Sequence, residues 1–211
     1  MRQRGRARPT RRRRSGDDAR RAILEAAEKR LIEDGPGSIK VQAIARDLGL
    51  TDPAIHYHFR SQQGLVEALI RFGGRRLKDG VHRAVRTWSD DAVDVAKLVS
   101  MIDEIYGDRG YARLAAWMTL AGWRARDAGL YDELVRRVHA ARTRRAEASG
   151  DARPDLEDTR HLVVLLNLVL FADAIAGAAF RKSVGLPADR AAGDRFRRWF
   201  TRLLETTLRL T

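Results

Sequence analysis

Cysteine is absent from the 211 residues. The chain therefore has no disulfide framework, no thiolate metal site and no cysteine nucleophile, and it suits a reducing compartment. The first sixteen residues lack the apolar stretch of a secretory signal peptide, so we expect a cytoplasmic protein. Sustained alternation of apolar and polar residues is missing too, while helical periodicity recurs. We therefore expect an all-α fold of about nine helices.

Signatures of catalysis are equally scarce. The chain has no Gly-rich phosphate loop and no nucleophile elbow. Of its five histidines, His82, His139 and His161 are scattered along unrelated segments. We therefore expect neither an enzyme nor a cofactor, and a helical metal-dependent enzyme is the less favoured alternative.

Positive charge is concentrated at the N-terminal end. Residues 1–16 contain eight arginines and no acidic residue, and 21 of the basic but only 10 of the acidic side chains lie in residues 1–86. This gives residues 1–86 a net charge of +11 out of the total of +13. The arginine-rich residues 1–16 cannot bury enough apolar surface to fold alone, so we predict a disordered arm. A polyanion should therefore bind at the N-terminal end.

Four helices are predicted in residues 17–87. The first runs from Asp17 to the stop signal EDGPG, and the second is short, with Ser38 as its N-cap and Gly49 at its left-handed end. The third begins at Thr51 or Asp52 and runs to about Phe59. Ser61 then caps a long fourth helix that connects the N-terminal domain to the rest. Two short helices joined by a three-residue turn with glycine have the spacing of a helix-turn-helix motif.

The third helix, in the segment GLTDPAIHYHF, carries several rings. Helical geometry places Ile55 and Phe59 on one face, which should be buried, and turns His56 and Tyr57 to other faces. Rings displayed beyond a tight turn can enter the major groove, where they offer apolar contacts and polar tips. The alternative is that one of the rings at positions 56–58 packs in the core. His56 and His58 as a metal pair are disfavoured, because two residues of helix separate them by about 200°.

Residues 38–70, SIKVQAIARDLGLTDPAIHYHFRSQQGLVEALI, resemble the DNA-binding segment of TetR-family transcriptional regulators. The resemblance rests on the IA pair at Ile44 and Ala45, the turn Gly49 to Thr51 and the core Ile55 to Phe59, and it extends over residues 17 to about 87. It implies an all-helical homodimer, usually a repressor, that binds double-stranded DNA and is released by a small molecule. Residues that match DNA-contacting positions of the family are Ser38, Lys40, Thr51, Asp52, Pro53, Ala54, His56, Tyr57 and His58.

Two positions depart from the family pattern. His56 stands where tyrosine is usual, and Gln62 stands where a lysine normally binds a phosphate. Asp52 repels phosphate unless it accepts from cytosine, and capping of the third helix is its simpler role.

The arm is the obvious source of the missing positive charge. Its arginines, Arg11, Arg12, Arg13 and Arg14 among them, either follow the DNA backbone or enter an adjacent minor groove, or they form a solvated tail with nonspecific attraction. The sequence leaves these two interpretations open.

The C-terminal part contains candidate ligand-binding residues. Large side chains concentrate between residues 106 and 123, and they either line a cavity or form ordinary core, which is the more common outcome. Asn167 and Asp173 lie in a long apolar segment and must find partners, in a ligand or across a subunit interface. The candidate ligand-binding residues are Tyr106, Tyr111, Trp117, Met118, Trp123, Asn167, Phe171 and Asp173.

The last two predicted helices, residues 155–182 and 188–210, are the expected dimer surface. The apolar run 162–180 is long enough to cross a membrane, but a core or interface helix explains it better and we expect no membrane association. Small residues on one helix and a wide apolar stripe on the other favour a helical bundle between subunits. The residues predicted at this interface are Ala176, Gly177, Phe180, Phe196, Trp199, Phe200 and Leu203.

Three parts are therefore predicted: a disordered arm (1–16), a helix-turn-helix DNA-binding domain (17–64) and a helical domain for ligand binding and dimerisation (65–211). The expected function is that of a sequence-specific transcriptional regulator, a repressor released from a palindromic operator by an effector. A ligand-independent architectural DNA-binding protein is the second alternative.

Overall fold

The computed structural model describes residues 16–86, 88, 93–122 and 129–208. Within these ranges the chain is all-α and contains no strand, as expected. The arm lies outside the described residues except for Gly16, with which the first helix begins. The helices are α1 (Gly16–Asp34), α2 (Val41–Leu48), α3 (Asp52–Phe59), α4 (Gln62–Arg86), α5 (Val95–Asp103), α6 (Tyr111–Leu120), α7 (Asp132–Ser149), α8 (Leu156–Ser183) and α9 (Arg190–Leu208). A 3₁₀ turn (Pro36–Ser38) precedes α2, and a π-helical turn (Glu104–Asp108) follows α5.

Helices α1 to α3 and the start of α4 enclose a small apolar core. Apolar side chains at three- and four-residue spacing place one face of each helix inside, and α1 packs on α2 and α4 while α3 packs on α2 and α4. Each fully buried Leu or Ile contributes about 1.5–3 kcal/mol relative to exposure. The fully buried side chains of this domain include Ile23, Leu24, Leu31, Ile39, Ile44, Ile55, Leu65 and Leu69.

Two predicted helix caps have different outcomes. Ser61 accepts a hydrogen bond at Oγ from the backbone N–H of Gly64 (3.0 Å), which confirms it as the cap of α4. Ser38 was the wrong N-cap for α2. It ends the 3₁₀ turn started by Pro36, and its hydroxyl donates to the carbonyls of Arg30 (3.0 Å) and Gly35 (2.8 Å). Lys40 occupies the N-cap position instead.

Helix α4 connects the N-terminal domain to the remaining helices. It packs against α5, α6 and α7, and glycines allow the close approach of two of them. An added Cβ at Gly73 would lie 2.1 Å from the Tyr111 ring, and one at Gly80 would lie 2.7 Å from Met101 Sδ. A larger side chain at Gly73 would therefore displace the Tyr111 ring, and one at Gly80 would displace the Met101 side chain.

Helices α8 and α9 pack together but bury only part of their apolar surface. Leu166 and Leu170 of α8 and Leu204 of α9 face the interior. On the outside, Leu168 is 60 % exposed and Trp199 is 51 % exposed. By length and composition α8 could cross a membrane, although core helices of soluble proteins also meet these criteria. The exposed apolar side chains of α8 and α9, called here the α8/α9 face, are Val164, Leu165, Leu168, Ile175, Phe180, Trp199 and Leu203.

Candidate nucleic-acid interface

A left-handed glycine sets the angle between α2 and α3. Gly49 has φ 61° and ψ 34°, a conformation that costs glycine little because it has no Cβ. Its N–H bonds to the carbonyl of Arg46 (3.2 Å), and the N–H of Leu50 bonds to that of Ala45 (2.8 Å). The turn of Gly49 to Thr51 therefore closes α2 tightly and confirms the predicted helix-turn-helix geometry.

Thr51 occupies the N-cap position of α3, with an extended backbone and no side-chain capping bond. Pro53 follows in the first turn, where its missing N–H leaves no intrahelical bond unmade. The capping role assigned to Asp52 was wrong, because Asp52 is the first helical residue. In that position its negative charge still interacts favourably with the helix dipole.

The faces of α3 are arranged as its sequence predicts. Ile55 is fully buried and Phe59 nearly so, while Tyr57 is 85 % exposed. His56 is exposed and His58 is partly exposed, with its ring edge-on to that of Tyr57. None of the three rings at 56–58 is a core residue, so the alternative interpretation of one buried ring is wrong.

The end of α3 orients the His56 imidazole. His56 Nδ1 lies 3.1 Å from the carbonyl oxygen of Arg60, which has φ 64° and ends the helix. A carbonyl can only accept, so this hydrogen bond requires the proton on Nδ1. The outward nitrogen, Nε2, is then an acceptor in the neutral ring. Arg20 lies over the Phe59 ring at 5.0 Å and joins α1 to the same end of α3.

An ion pair that the sequence pattern did not reveal braces α2 against α1. Arg30 donates from Nε to Asp47 Oδ2 (2.6 Å) and from Nη2 to Oδ1 (2.8 Å), in a two-pronged arrangement. The hydrogen bond from Arg30 holds the pKa of Asp47 below its usual value. This contribution to stability is present at neutral pH and is lost as the pH falls through the lowered pKa.

The remaining predicted DNA-contacting residues differ in exposure. Lys40 and Gln62 are exposed at the first turns of α2 and α4, and Ala54 and Asp52 are partly exposed on α3. Ser38 is partly exposed, but its hydroxyl proton is bound by backbone carbonyls of the same chain. Arg11 to Arg14 lie outside the described residues. In the described part of the chain, no group of three or more metal-ligating side chains is found.

The candidate ligand-binding residues do not form one cluster. Tyr106 donates to Asn167 Oδ1 (3.2 Å) and lies 3.3 Å from the Tyr131 hydroxyl, and Phe171 packs edge-on against its ring. Burial raises the pKa of Tyr106. Tyr131, which sequence reasoning missed, joins this group from 25 residues away, and no local pattern marks it.

The other candidates lie in separate environments. Met118 is buried in the core and Trp117 is 44 % exposed. Tyr111 faces α1, where its hydroxyl donates to Glu28 Oε1 (2.9 Å). Trp123 lies outside the described residues.

Asp173 finds its partners within the subunit. Its carboxylate binds Arg181 of the same helix and Arg197 of α9, the latter at 3.1 Å. Arg197 also bonds Asp103 of α5 (3.1 Å). Asp173 therefore ties α8 to α9, and its charge is balanced without a ligand.

Two residues predicted at the dimer interface are interior. Phe200 is 2 % exposed and stacks on Phe196, and Gly177 is buried beneath the Asp173 and Arg181 side chains. Phe200 lies on the inward face of α9, and the paired Asp173 and Arg181 side chains cover Gly177, so neither residue is accessible at the surface. Ala176 is partly exposed, and Phe180, Trp199 and Leu203 belong to the α8/α9 face.

Helices α1 to α3 thus form a helix-turn-helix domain that is attached to an all-helical core. Comparison with known proteins supports this class. Residues 23–69 match the family model for bacterial regulatory proteins of the tetR family. The chain is therefore similar to that family over the segment that contains the helix-turn-helix.

A curated relative shows how far the likeness in sequence extends. An HTH-type transcriptional regulator of Mycobacterium tuberculosis is 30 % identical over 107 residues, a match that covers 47 % of this chain and 42 % of that protein. The chain thus matches less than half the length of this curated relative.

Solved structures extend the likeness to the whole fold. A bacterial regulatory protein of the tetR family from Rhodococcus has a TM-score of 0.56 at 15 % identity, over 88 % of this chain and 96 % of that chain. A protein assigned as a transcriptional regulator of Saccharomonospora viridis, solved in complex with choline, has a TM-score of 0.58 at 19 % identity. The match covers 90 % of this chain and 96 % of that chain. At these identities the likeness shows the fold alone.

Proposed function

We propose that the protein is a transcriptional repressor that binds a palindromic operator as a homodimer and is released by a small-molecule effector. The observation that carries the proposal is the division of α3, whose Ile55 and Phe59 anchor it while Tyr57 and His56 face solvent. A helix fixed in this way beyond a tight turn fits the major groove. Because the match to curated relatives is partial, the activity of the whole chain is part of this proposal.

The proposed contacts divide by chemistry. Thr51, Pro53, Ala54, His56 and Tyr57 are placed to meet base edges and thymine methyl groups. The neutral His56 ring would present Nε2 as an acceptor, which suits an exocyclic amine of adenine or cytosine. Ser38, Lys40 and His58 are assigned to phosphates, and so is Gln62, which contributes a hydrogen bond but no charge. Asp52 would accept from a cytosine amine if it contacts a base.

Replacement of Tyr57 by alanine tests the reading role of α3. The side chain is 85 % exposed, so its loss should leave the free energy of unfolding within about 0.5 kcal/mol of the wild type. Operator affinity should fall by at least about 10-fold, because a base contact is worth about 1–3 kcal/mol and the proposed dimer makes it in both half-sites. Fluorescence anisotropy with labelled operator measures this fall, and Lys78→Ala, an exposed position of α4 away from α3, is the control. Unchanged operator affinity would contradict the assignment.

The dimer is proposed to form through the α8/α9 face. Exposed Leu, Val, Ile and Trp side chains lie on two helices that pack together, and a patch of exposed apolar side chains marks a contact site. A bundle of α8 and α9 with their symmetry mates would cover it, and this explains the apolar α8 without a membrane. A dimer that covers α8 favours a cytoplasmic protein over a membrane-bound one.

Release by an effector is proposed as a shift between two dimer arrangements. The two α3 helices must be about 34–36 Å apart, or a related multiple, to enter successive major grooves. A ligand that prefers another separation lowers operator affinity by its differential affinity for the two states. The choline complex of the S. viridis regulator shows that a protein of this fold is able to hold a small molecule.

DNase I footprinting on the DNA that flanks the protein's own gene tests the function directly. A regulator should protect a short palindrome at nanomolar concentration, with two half-sites related by twofold symmetry. The competing function, a ligand-independent architectural protein, predicts weak sequence preference and no discrete footprint. Absence of a protected palindrome at any flanking site would reject the proposed function in favour of the architectural one.

The arginine arm provides a separate prediction. Residues 17–60 contain seven basic and eight acidic side chains, so the domain itself neutralises few phosphates. Deletion of residues 2–14 should lower operator affinity and reduce the slope of log K against log salt, by about 0.9 for each phosphate that the arm neutralises. Binding isotherms between about 50 and 200 mM salt measure the slope. An unchanged slope would show that the arm does not contact DNA.

A further inference from the structure

A cleft rich in arginine lies where the DNA-binding domain meets the helical core. Its volume is about 400 Å³, and it is bounded by α1, α4, the end of α5 and the π-helical turn. Five arginines line it, whereas its acidic lining residues are Asp79 and Glu104. The arginines are Arg21, Arg75, Arg76, Arg83 and Arg109. A cleft with such an excess of guanidinium groups attracts anions.

The arginines of the cleft differ in the ion pairs that they already make. Arg76 and Arg109 reach the buried carboxylate of Glu28, at 3.3 and 3.7 Å, and Arg109 also binds Glu104 at 2.8 Å. Arg75 and Arg83 are exposed and make no ion pair with any described residue. The latter two guanidinium groups are thus available to a ligand.

Part of the cleft lining is apolar. Phe72, Met101 and Ile105 form this part, and the Phe72 ring lies 4.6 Å from the Arg76 guanidinium and 6.0 Å from that of Arg75. These contacts hold the two arginines over the ring and so limit their freedom. The volume is within the range of small-molecule sites, about 300–1,000 Å³, and is too small for a folded partner.

We propose that this cleft binds a small organic phosphate, with its charged group on Arg75 and Arg83 and its apolar part against Phe72 and Ile105. A phosphate monoester carries a charge of about −1.5 to −2 and three acceptor oxygens, so it can pair with both guanidinium groups, which favours it over an anion of single charge. The cleft is distinct from the Tyr106, Tyr131 and Asn167 group.

The phosphates of DNA bound by α3 are too far away to be the ligand of this cleft. With a rise of about 1.5 Å per residue, Arg75 and Arg83 lie about 20 and 32 Å along α4 from its first residue. Helix α3 directly precedes that first residue, so a duplex held by α3 lies at the far end of α4. A free phosphate compound reaches the cleft without this restriction.

Binding there would act on the junction with the DNA-binding domain. Arg76 and Arg109 line the same cleft, so a phosphate held on Arg75 and Arg83 also attracts them. If it draws either of them away from Glu28, a carboxylate that is 5 % exposed loses a cation. Such a charge is costly to bury, so ligand binding should disfavour the present packing of α1 on α4 and α6. This regulatory consequence rests on the proposed function, while the binding site itself does not.

Calorimetric titration of the full chain without DNA, at about 50 mM salt and without magnesium, tests the site. The probes are inorganic pyrophosphate and AMP. We expect one saturable site per chain with a dissociation constant below about 1 mM, and at least tenfold weaker binding to the Arg75→Gln/Arg83→Gln variant. The matched control is Lys78→Gln/Arg86→Gln, which removes two exposed charges from the same helix outside the cleft and should change affinity less than threefold. No saturable binding of either probe, or equal weakening by both variants, overturns the site.

Two further measurements test the regulatory effect and distinguish a free phosphate compound from DNA as the ligand of the cleft. Saturating AMP should lower wild-type operator affinity at least fivefold and leave that of Arg75→Gln/Arg83→Gln unchanged; binding without this effect contradicts the regulatory part. Should Arg75→Gln/Arg83→Gln reduce the salt slope of DNA binding while neither probe binds, the cleft is a DNA contact and the inference is wrong. AMP binding by a chain that protects no palindrome would reject the proposed function and leave the site intact.

Discussion

Leu168→Glu is expected to convert the protein from a dimer to monomers and to abolish tight operator binding. Leu168 lies at the centre of α8, is 60 % exposed and has apolar neighbours on the α8/α9 face. A glutamate there places two like charges in an apolar bundle related by twofold symmetry, where neither is solvated nor paired. Operator affinity should fall by at least about 100-fold, because a monomer has a single α3 helix and binds only one half-site. It therefore loses every base contact in the other half-site, each worth about 1–3 kcal/mol.

Leu120→Glu is the matched control for this experiment. Leu120 ends α6 and is 89 % exposed, so the same chemical change at this position should leave mass and affinity unaltered. Light scattering after gel filtration gives the mass, and Trp199→Glu should reproduce the monomer independently. A dimer that persists in both variants would place the interface elsewhere. A wild-type chain that sediments with membranes and is released by Leu168→Glu would assign the face to lipid.

Glu28→Ala is expected to lower the free energy of unfolding by about 3 kcal/mol, at the lower end of the range for breaking a buried ion pair. The substitution removes the acceptor of the Tyr111 hydroxyl and leaves Arg76 and Arg109 without their shared carboxylate. The lower end applies because these arginine side chains are 35 % and 29 % exposed and are screened by water. Urea denaturation of the full chain measures the loss.

Two variants distinguish a buried network from a general effect of charge. Glu25→Ala, on the same helix, breaks only an exposed pair with Arg21 and should cost about 0.5 kcal/mol. Tyr111→Phe removes one hydrogen bond and should cost about 1 kcal/mol. If Glu28→Ala were no more destabilising than Glu25→Ala, the junction would not depend on this carboxylate.

The helix-turn-helix could be predicted closely because its signals are local. The left-handed Gly49, Pro53 in the first turn of α3, Ser61 as a cap and the spacing of Ile55 and Phe59 all act within a few residues. Each was found where the sequence placed it, with the bounds of α3 matching. Ser38 failed because Pro36 starts a 3₁₀ turn that consumes its hydroxyl, a competition that capping preference alone does not resolve.

The parts that sequence reasoning missed depend on contacts between distant residues. Tyr111 and Glu28 are separated by 83 positions, and Tyr106 and Asn167 by 61. Aromatic residues near one another in sequence suggest one cavity or one core, but the helices carry them to different environments. Asp173 has one partner two helical turns away on its own helix, but the other, Arg197, depends on how α9 packs.

The glycines of α4 make the rigidity of this helix depend on its neighbours. Four glycines occur in its 25 residues, and each weakens a helix by about 1 kcal/mol relative to alanine. The Tyr111 ring and the Met101 side chain fill the space that a Cβ would take at Gly73 and Gly80. Helix α4, which carries the helix-turn-helix domain, is thus supported by its contacts with α5 and α6. Its rigidity depends on those neighbouring helices more than on its own backbone.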